Sequence, residues 1–449
     1  MQKIVSLLLC LMIYNSSYAY GDHYHKAINQ AIDQVDSNIN IGIKIRNLLT
    51  GKVVYERNAD SYYNFASSLK LITIAALRQY FGNDYRFTNK IWKKGEDYYL
   101  DINDPNFSTE ALDSMLKLLK AKSSATLRNF YIIDSTFSLP PIIESKMVED
   151  TKYCYGALIT KVHINKNCIK VQLQPNLQVK SKIGVDNKEL IPYKIVNNAV
   201  TIPGGYKDKL DITIKNDNLL INGTLNKEFQ GSVKAVTNDN LNYIKLSLQK
   251  LLAKNNIKIK GQILYSAKPI AAQEIVESQK NFYQIASYAL KVSDDYITDY
   301  LLAEFADIYG VRDWPTAGIL LKQYVLQNFA INLDKTIIVD GSGISRYNLF
   351  TPTQFDGFLA RIYQDQNFEV IKLMLARPGE VGTLNKRFQG VDIFAKTGTM
   401  SGISSLIGYV FDKNNVPYSF VIVSNSYLGP KLKYAQLEET IIRILINSQ

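Results

Sequence analysis

Residues 65–75 read FASSLKLITIA, and this stretch guides the interpretation of the rest of the chain. A serine pair is followed by apolar residues at helical spacing, which predicts an amphipathic helix over residues 66–80. Positions i and i+3 share a helix face, so the amine of Lys70 can reach the hydroxyl of Ser67. A lysine in that place can act as a base toward a serine nucleophile.

The pattern Ser-x-x-Lys is common, and its structural context decides its meaning. Residues Ser247 to Lys250 also satisfy it. Ser247 lies in the middle of a predicted helix, where its backbone N–H is already bonded, so we interpret this second copy as a solvated helix face. Ser67, at a helix start, can offer a free N–H and the positive end of the helix dipole to an oxyanion. Ser67 is therefore the candidate nucleophile, and Lys70 is its candidate base.

A Lys-Thr-Gly sequence occurs once, at Lys396-Thr397-Gly398, and Thr399 follows it. The flanking residues are apolar and predict a strand in a buried sheet. A glycine lets a substrate backbone approach closely, while ammonium and hydroxyl groups can hold a carboxylate. These four residues are therefore a candidate site for the end of a peptide.

Length and composition indicate a soluble protein of two or three lobes. The chain has 449 residues, of which 46% are hydrophobic and 21% charged, an ordinary globular balance. Alternating apolar residues over 40–55 predict a hairpin. Short strand-like runs between about 80 and 265 indicate an inserted lobe. Apolar runs over 388–423 predict a buried sheet, which an amphipathic helix over 437–446 would cover.

The first 19 residues have the order of a secretory signal peptide: Lys3, an apolar run from Ile4 to Ile13, and small residues up to Ala19. A run of about ten residues is too short to cross a hydrocarbon layer, which takes about twenty. We therefore expect cleavage after Ala19, an exported or periplasmic protein, and no transmembrane anchor. Export permits, without requiring, a disulfide between Cys154 and Cys168.

The formal net charge of the chain is +11. A positive field favours acidic partners, which include wall peptides, phosphate-bearing envelope polymers and nucleic acid. A general bias toward Lys, Asn, Ile and Tyr explains the charge better, and the sequence contains no nucleic-acid-binding module. The three histidines have no metal-ligand spacing with the cysteines, so we expect neither a metal nor a cofactor.

Three blocks of sequence together resemble a known family. They are residues 65–75, residues 291–304 (KVSDDYITDYLLAE) and residues 394–410 (FAKTGTMSGISSLIGYV). They are similar to the three active-site motifs of the class C penicillin-binding proteins, the D-alanyl-D-alanine carboxypeptidase/endopeptidase family. Residues 339–346 (VDGSGISR), and Gly382-Thr383-Leu384 with Arg387, resemble two further motifs of that family.

The resemblance implies an α/β (α+β) fold. Its core would be a penicillin-recognising transpeptidase/β-lactamase-like domain, an antiparallel sheet flanked by helices, with a large inserted β-rich lobe. The catalytic domain would comprise residues 20–79 and 268–449, the insertion residues 80–267, and the signal peptide residues 1–19. Peptidoglycan stem peptides and crosslinks would be substrates, β-lactams would be covalent inhibitors, and a homodimer is left open.

The resemblance also implies roles for individual residues. Ser67 would be the nucleophile and Lys70 its base, with Ser293 relaying a proton to the departing D-alanine nitrogen. The carboxylate of the substrate would be bound by Lys396, Thr397 and Thr399, which flank Gly398. The backbone N–H groups of Ser67 and Thr399 would form the oxyanion hole, an effect of order ~3 kcal/mol per donor.

The second motif departs from the family pattern, because no Ser-x-Asn sequence occurs in the chain and Ser293-Asp294-Asp295 takes its place. The family's asparagine offers an N–H to the substrate, whereas an ionised Asp295 can only accept. Its charge would also favour a protonated Lys70, which is not a base. We therefore expect slow acylation or an altered substrate range. A β-lactamase and a non-catalytic wall-binding protein are the alternatives.

Overall fold

The computed structural model describes residues 24–123 and 126–447. The predicted signal peptide, residues 1–19, lies outside the described residues. The chain divides into two compact units. Within the described residues, unit 1 comprises residues 24–80, 286–298 and 315–447, and unit 2 comprises residues 81–123, 126–285 and 299–314.

The described helices follow the sequence in this order: α1 (24–35), α2 (Lys70–Phe81), α3 (Thr109–Lys122), α4 (Asn240–Lys254), α5 (Phe282–Val292), α6 (Asp295–Ile308), α7 (Trp314–Phe329), α8 (Pro352–Tyr363), α9 (Phe368–Met374) and α10 (Lys431–Asn447). Among the described residues, no helix has both the length and the apolar character that crossing a bilayer requires.

The described strands are β1 (Asn40–Asn47), β2 (Val53–Arg57), β3 (Arg86–Lys94), β4 (Asp97–Asp101), β5 (Thr126–Leu127), β6 (Phe130–Ile133), β7 (Cys168–Gln174), β8 (Gly184–Val185), β9 (Lys194–Asn197), β10 (Val200–Ile202), β11 (Lys209–Lys215), β12 (Asn218–Asn226), β13 (Gly231–Val236), β14 (Lys258–Ile259), β15 (Ile263–Ser266), β16 (Gln273–Asn281), β17 (Asp392–Met400), β18 (Ile403–Phe411) and β19 (Pro417–Asn425).

Unit 1 is built on one antiparallel five-stranded sheet in the order β17-β18-β19-β1-β2. Its central strands β18 and β19 are buried along almost their whole length, because α10 packs against β18 and α8 against β19 and β1. Strands covered by helices are apolar on both faces, which accounts for the continuous apolar runs near the C-terminus. The predicted hairpin over 40–55 is present as β1 and β2.

The helix predicted over residues 66–80 begins with a tight turn. Residues Ala66–Leu69 form a 3-10 helix, and α2 continues from Lys70. Ala66 has a φ of 46°, in the left-handed region that costs a residue with a side chain free energy. The side chain of Asn64 accepts a hydrogen bond from the Ala66 N–H at 2.8 Å, which holds this turn in place.

Unit 2 is rich in strands. A five-stranded sheet has the order β15-β6-β4-β3-β16, and β13-β7-β8 form a second sheet. A third sheet pairs β12 with β11, β10 and β9. Apolar side chains from these sheets, together with α3 and α4, form one buried core. Their alternating pattern places one face of each strand in that core and the other toward solvent.

Three details of unit 2 differ from the sequence interpretation or complete it. Residues 268–285 and 299–314, which the predicted domain division assigned to the catalytic domain, lie in unit 2. Ser247 is buried on α4, so the predicted solvated face for it is wrong, because α4 packs that side against the core. Cys154 and Cys168 form a disulfide, with their Cα atoms 5.6 Å apart.

Candidate active site

Ser67 and Lys70 are joined by a hydrogen bond at the start of α2. The Nζ atom of Lys70 donates to Ser67 Oγ at 2.8 Å and to the carbonyl oxygen of Ser342 at 2.6 Å. Lys70 is fully buried. The lysine amine therefore faces the hydroxyl one helical turn earlier, as the i, i+3 spacing predicts.

Asp295 also contacts both of these residues. Its Oδ1 atom accepts a hydrogen bond from Lys70 Nζ at 2.5 Å and one from Ser67 Oγ at 3.4 Å. The Asp295 side chain is 18% exposed, whereas that of Lys70 is inaccessible. The carboxylate thus forms an ion pair with the lysine and is the acceptor toward which the Ser67 hydroxyl points.

Ser293 lies in the turn between α5 and α6 with a φ of 61°. Read alone, the sequence favours Ser293 as a helix cap, but the Oδ1 atom of Asp294 accepts the Ile297 N–H at 3.0 Å and serves that purpose. The Ser293 hydroxyl accepts instead from Lys396 Nζ at 2.8 Å.

Lys396 is fully buried on β17 and also donates to the Thr397 carbonyl at 2.6 Å. Burial lowers the pKa of Lys396 well below its ordinary value, and the charge of Lys70 lowers it further, while Asp295 opposes the shift. Lys396 can therefore exchange a proton with Ser293 far more readily than an exposed lysine.

Five side chains thus form one group, which we call the nucleophile cluster: Ser67, Lys70, Ser293, Asp295 and Lys396. All five were candidates from the sequence, and all belong to unit 1. Thr397 is buried beside them, and Thr399 is exposed on β17. Among the described strands β17 is an edge of its sheet. Ala376 bridges to Ala395 on its outer side, and the part of that side beyond the bridge can pair with an extended peptide.

Gly398 brings β17 against the turn that carries Ser67. A Cβ atom at Gly398 would lie 2.2 Å from the Phe65 carbonyl oxygen, so only glycine fits this close approach. The same carbonyl accepts a hydrogen bond from Ser405 Oγ at 2.7 Å, and Ser405 Oγ lies 2.8 Å from Ser68 Oγ. These contacts fix the nucleophile turn relative to β17 and β18.

The loop over residues 339–346 also positions Lys70. The buried Asp340 carboxylate accepts hydrogen bonds from the Gly343 N–H at 2.7 Å and the Ser345 N–H at 2.6 Å. This closed loop presents the Ser342 carbonyl that accepts from Lys70. Asp340 therefore acts on the site through the backbone.

Comparisons with known proteins identify the family of the chain. The model of the D-Ala-D-Ala carboxypeptidase 3 (S13) family matches residues 24–442. The chain belongs to this family. It is a D-Ala-D-Ala carboxypeptidase, a hydrolase of the peptidase class, and the penicillin-binding resemblance indicated by the motifs is confirmed.

Curated relatives span nearly the same length. The D-alanyl-D-alanine carboxypeptidase DacB of Haemophilus influenzae is 23% identical over 470 residues, which cover 97% of each chain. The D-alanyl-D-alanine carboxypeptidase of Actinomadura sp. strain R39 is 26% identical over 87% of this chain and 78% of the relative.

Solved structures share the fold. Penicillin-binding protein 4 of Haemophilus influenzae superimposes with a TM-score of 0.79 at 20% identity, over 93% of this chain and 99% of that one. The Bd3459 predatory endopeptidase of Bdellovibrio bacteriovorus, solved with the immunity protein Bd3460, gives 0.53 at 14% identity, over 91% and 92%. The predicted fold class is therefore confirmed.

The motif formed by Gly382-Thr383-Leu384 and Arg387 lies outside the cluster and contacts the segments next to it. Gly382 approaches the Lys291 carbonyl so closely that a Cβ atom would lie 2.8 Å from it, and the next residue donates its N–H to that carbonyl at 2.9 Å. Lys291 is two positions before Ser293. Arg387 forms an ion pair at 2.9 Å with the buried Glu438, which also accepts from Ser404 on β18 at 2.6 Å.

Sequence reasoning missed the structural roles of Asp340 and Ser405. Both lie in blocks that resemble the family, at residues 339–346 and 394–410, so the signal was present without an assigned contact. Among the described residues, no group of three or more His, Cys, Asp or Glu side chains could hold a metal ion.

Proposed function

We propose that Ser67 is the nucleophile with which this peptidase cleaves the bond before a C-terminal D-alanine in peptidoglycan stem peptides and crosslinks. The observation that carries the proposal is the 2.8 Å hydrogen bond from Lys70 to Ser67 at the start of α2, beside the edge strand with Lys396 and Thr397. A buried base within reach of a hydroxyl is the arrangement that nucleophilic catalysis requires.

In the acylation step, Ser67 Oγ forms a bond to the carbonyl carbon of the substrate, and the carbon–nitrogen bond to D-alanine breaks. Lys70, in its neutral form, takes the hydroxyl proton. Ser293, supplied by Lys396, delivers a proton to the departing nitrogen. Water then attacks the ester carbon: its oxygen bonds to that carbon, its proton restores the Ser293–Lys396 pair, the Oγ–carbon bond breaks, and Lys70 returns its proton to Ser67 Oγ.

Substrate binding uses β17. The hydroxyl groups of Thr397 and Thr399 bind the terminal carboxylate, with Lys396 behind them and Gly398 leaving room for the backbone. The N–H groups of Ser67 and Thr399 form the oxyanion hole. A β-lactam, which carries a carboxylate beside a strained amide, acylates Ser67 in the same way. The predicted signal peptide supports action outside the cytoplasm.

The ion pair between Lys70 and Asp295 favours a weakly active enzyme as the second candidate. The Asp295 carboxylate holds the Lys70 amine in a 2.5 Å hydrogen bond and competes with Ser67 for it. This charged contact has to weaken before Lys70 serves as the base, which makes acylation slow.

Release of D-alanine from a peptide ending in D-Ala-D-Ala tests the proposal. We expect Ser67→Ala to abolish release, while Ser247→Ala, the matched serine of the second Ser-x-x-Lys sequence, keeps the wild-type rate. Undiminished release by a folded Ser67→Ala variant would overturn the assignment of the nucleophile.

A further inference from the structure

Nearly all of the excess positive charge of the chain lies in residues 161–260, which belong to unit 2 and which we call the basic lobe. The basic lobe has 17 lysines, no arginine and 7 acidic residues, a charge of +10 (17 minus 7). The rest of the chain has 35 basic and 34 acidic residues (52 minus 17 and 41 minus 7). A general compositional bias would spread the lysines along the chain, so the concentration is a property of this lobe.

Most of these lysines face solvent without an acidic partner. Lys161 and Lys254 form ion pairs with acidic residues of unit 2. Twelve other lysines of the basic lobe are exposed, and within the described chain none of the twelve forms an ion pair. Their charge is therefore available to a ligand outside the protein.

The register of the sheets places some of these lysines side by side. Lys170 on β7 is directly opposite Lys234 on β13, and both are exposed. On the neighbouring sheet, Lys194 and Lys215 pair with Asn218 from its two sides, so they share one row and one face. Like charges directly opposite each other, as at Lys170 and Lys234, destabilise a sheet. An anion lying across the rows would relieve that repulsion.

The same strands separate charge from core. Along β11 the exposed positions include Lys209 and Lys215, while Leu210, Ile212 and Ile214 pack against the apolar core of unit 2. Lys209 and Lys215 therefore lie on the side of β11 that faces solvent, opposite the core. The sheet face presents separated point charges, which suit a long, repeating anion more than a single small one.

We propose that the lysine-bearing face of the basic lobe binds the anionic wall polymer whose peptides the nucleophile cluster cleaves. This inference rests on the proposed function. Each peptide that ends in D-alanine has a free carboxylate, so a polymer carrying many of them is a polyanion. Lysine attracts such charges without a fixed geometry, whereas the base-reading contacts typical of nucleic-acid recognition favour arginine, which the basic lobe lacks.

Co-sedimentation with purified, insoluble peptidoglycan tests the inference. The variant replaces six exposed lysines by glutamine: Lys170, Lys182, Lys194, Lys209, Lys215 and Lys234. The control replaces six exposed lysines of unit 1 in the same way: Lys26, Lys52, Lys335, Lys386, Lys413 and Lys431. Both variants lose the same formal charge, so a difference between them reports position.

We expect the wild type and the control to bind the wall at low salt and to be released as salt rises. The basic-lobe variant should bind at least about tenfold more weakly with a smaller salt dependence, while its kcat/KM on a short soluble D-Ala-D-Ala peptide stays at the wild-type value. Equal wall binding by the basic-lobe variant and the control would overturn the inference. Binding to anionic lipid vesicles or to DNA, with none to the wall, would overturn it as well.

Acylation by a fluorescent penicillin separates this inference from the proposed function. If both variants are acylated and both bind the wall equally, only the inference fails. If neither the wild type nor the variants are acylated while wall binding still depends on the basic-lobe lysines, the proposed catalysis fails and the binding surface stands.

Discussion

The nucleophile cluster and the basic lobe treat charge in opposite ways. In the cluster, Lys70 and Lys396 are fully buried, and both amines have oxygen acceptors at hydrogen-bond distance. In the basic lobe, lysines such as Lys170 and Lys234 lie exposed, opposite each other, and without acids. Burying a charged group costs a large free energy unless hydrogen-bond or ion-pair partners compensate for the lost water. An exposed charged group stays hydrated, and it can attract a ligand of opposite charge over a distance.

We therefore place the hydrolytic reaction in unit 1 and polymer binding in unit 2. Changes in the cluster should then alter the rate on every substrate, large or small. Changes on the lysine-bearing face should alter binding to the polymer alone. A cluster variant that weakens binding to the polymer, or a variant of the lysine-bearing face that slows the reaction on a small substrate, would contradict this division of roles.

The largest effect is expected from Lys70→Met, which keeps the length of the side chain and removes its amine. Without the base, the acylation rate of a penicillin should fall by about 10²–10⁴-fold, while co-sedimentation with the wall stays unchanged. Lys250→Met, the lysine of the second Ser-x-x-Lys sequence, is the control and should match the wild type. Stopped-flow acylation and a sedimentation assay measure the two effects, and parallel loss of wall binding in Lys70→Met would contradict the division.

A second prediction concerns the stability of unit 2 in acid. Burial lowers the pKa of His163 from 6.5 to about 4, so the folded protein keeps this ring neutral while the unfolded chain binds a proton below about pH 6.5. Stability should therefore fall as the pH drops from about 6.5 to about 4, by roughly 3 kcal/mol from this residue.

The matched variant His163→Gln isolates that contribution. Its free energy of unfolding, measured by denaturant titration from pH 7 to pH 4, should fall less with acid than that of the wild type. Identical pH profiles for His163→Gln and the wild type would show that the pKa of His163 is the same in the folded and the unfolded protein.

A smaller effect is expected from Asp295→Asn. The amide cannot form the ion pair with Lys70, so the amine no longer has to leave a charged hydrogen bond, worth about 1.5 kcal/mol, before it serves Ser67, and acylation should become about tenfold faster. Asp294→Asn keeps a helix-capping oxygen and should leave the rate unchanged. Rapid-quench acylation kinetics measure both. A slower Asp295→Asn would identify the carboxylate, 3.4 Å from Ser67 Oγ, as the acceptor of the hydroxyl proton.

Local patterns in the sequence predicted the parts of the site that depend on short-range geometry. The i, i+3 spacing of Ser67 and Lys70 and the strand character of residues 394–410 follow from helix and sheet periodicity. The 3-10 turn at Ala66–Leu69 did not, because its positive φ is held by Asn64 and by packing against distant segments. Contacts of that kind leave no local pattern.

Long-range contacts account for the other differences. Ser405 lies 340 positions from the Phe65 carbonyl that it bonds, and only the folded sheet brings them together. A serine on a helix is usually solvated, but α4 packs the face that carries Ser247 against the core. The net charge of +11 for the whole chain does not show where the lysines lie, so it does not predict the basic lobe.

One measurement tests directly whether Ser67 is the nucleophile. The purified protein is incubated with excess benzylpenicillin, and intact-mass spectrometry is followed by peptide mapping. We predict a single adduct with the mass of the penicillin, on the peptide that contains Ser67, and none in Ser67→Ala. A folded wild-type protein without an adduct, or with one on another peptide, would contradict the assignment of the nucleophile.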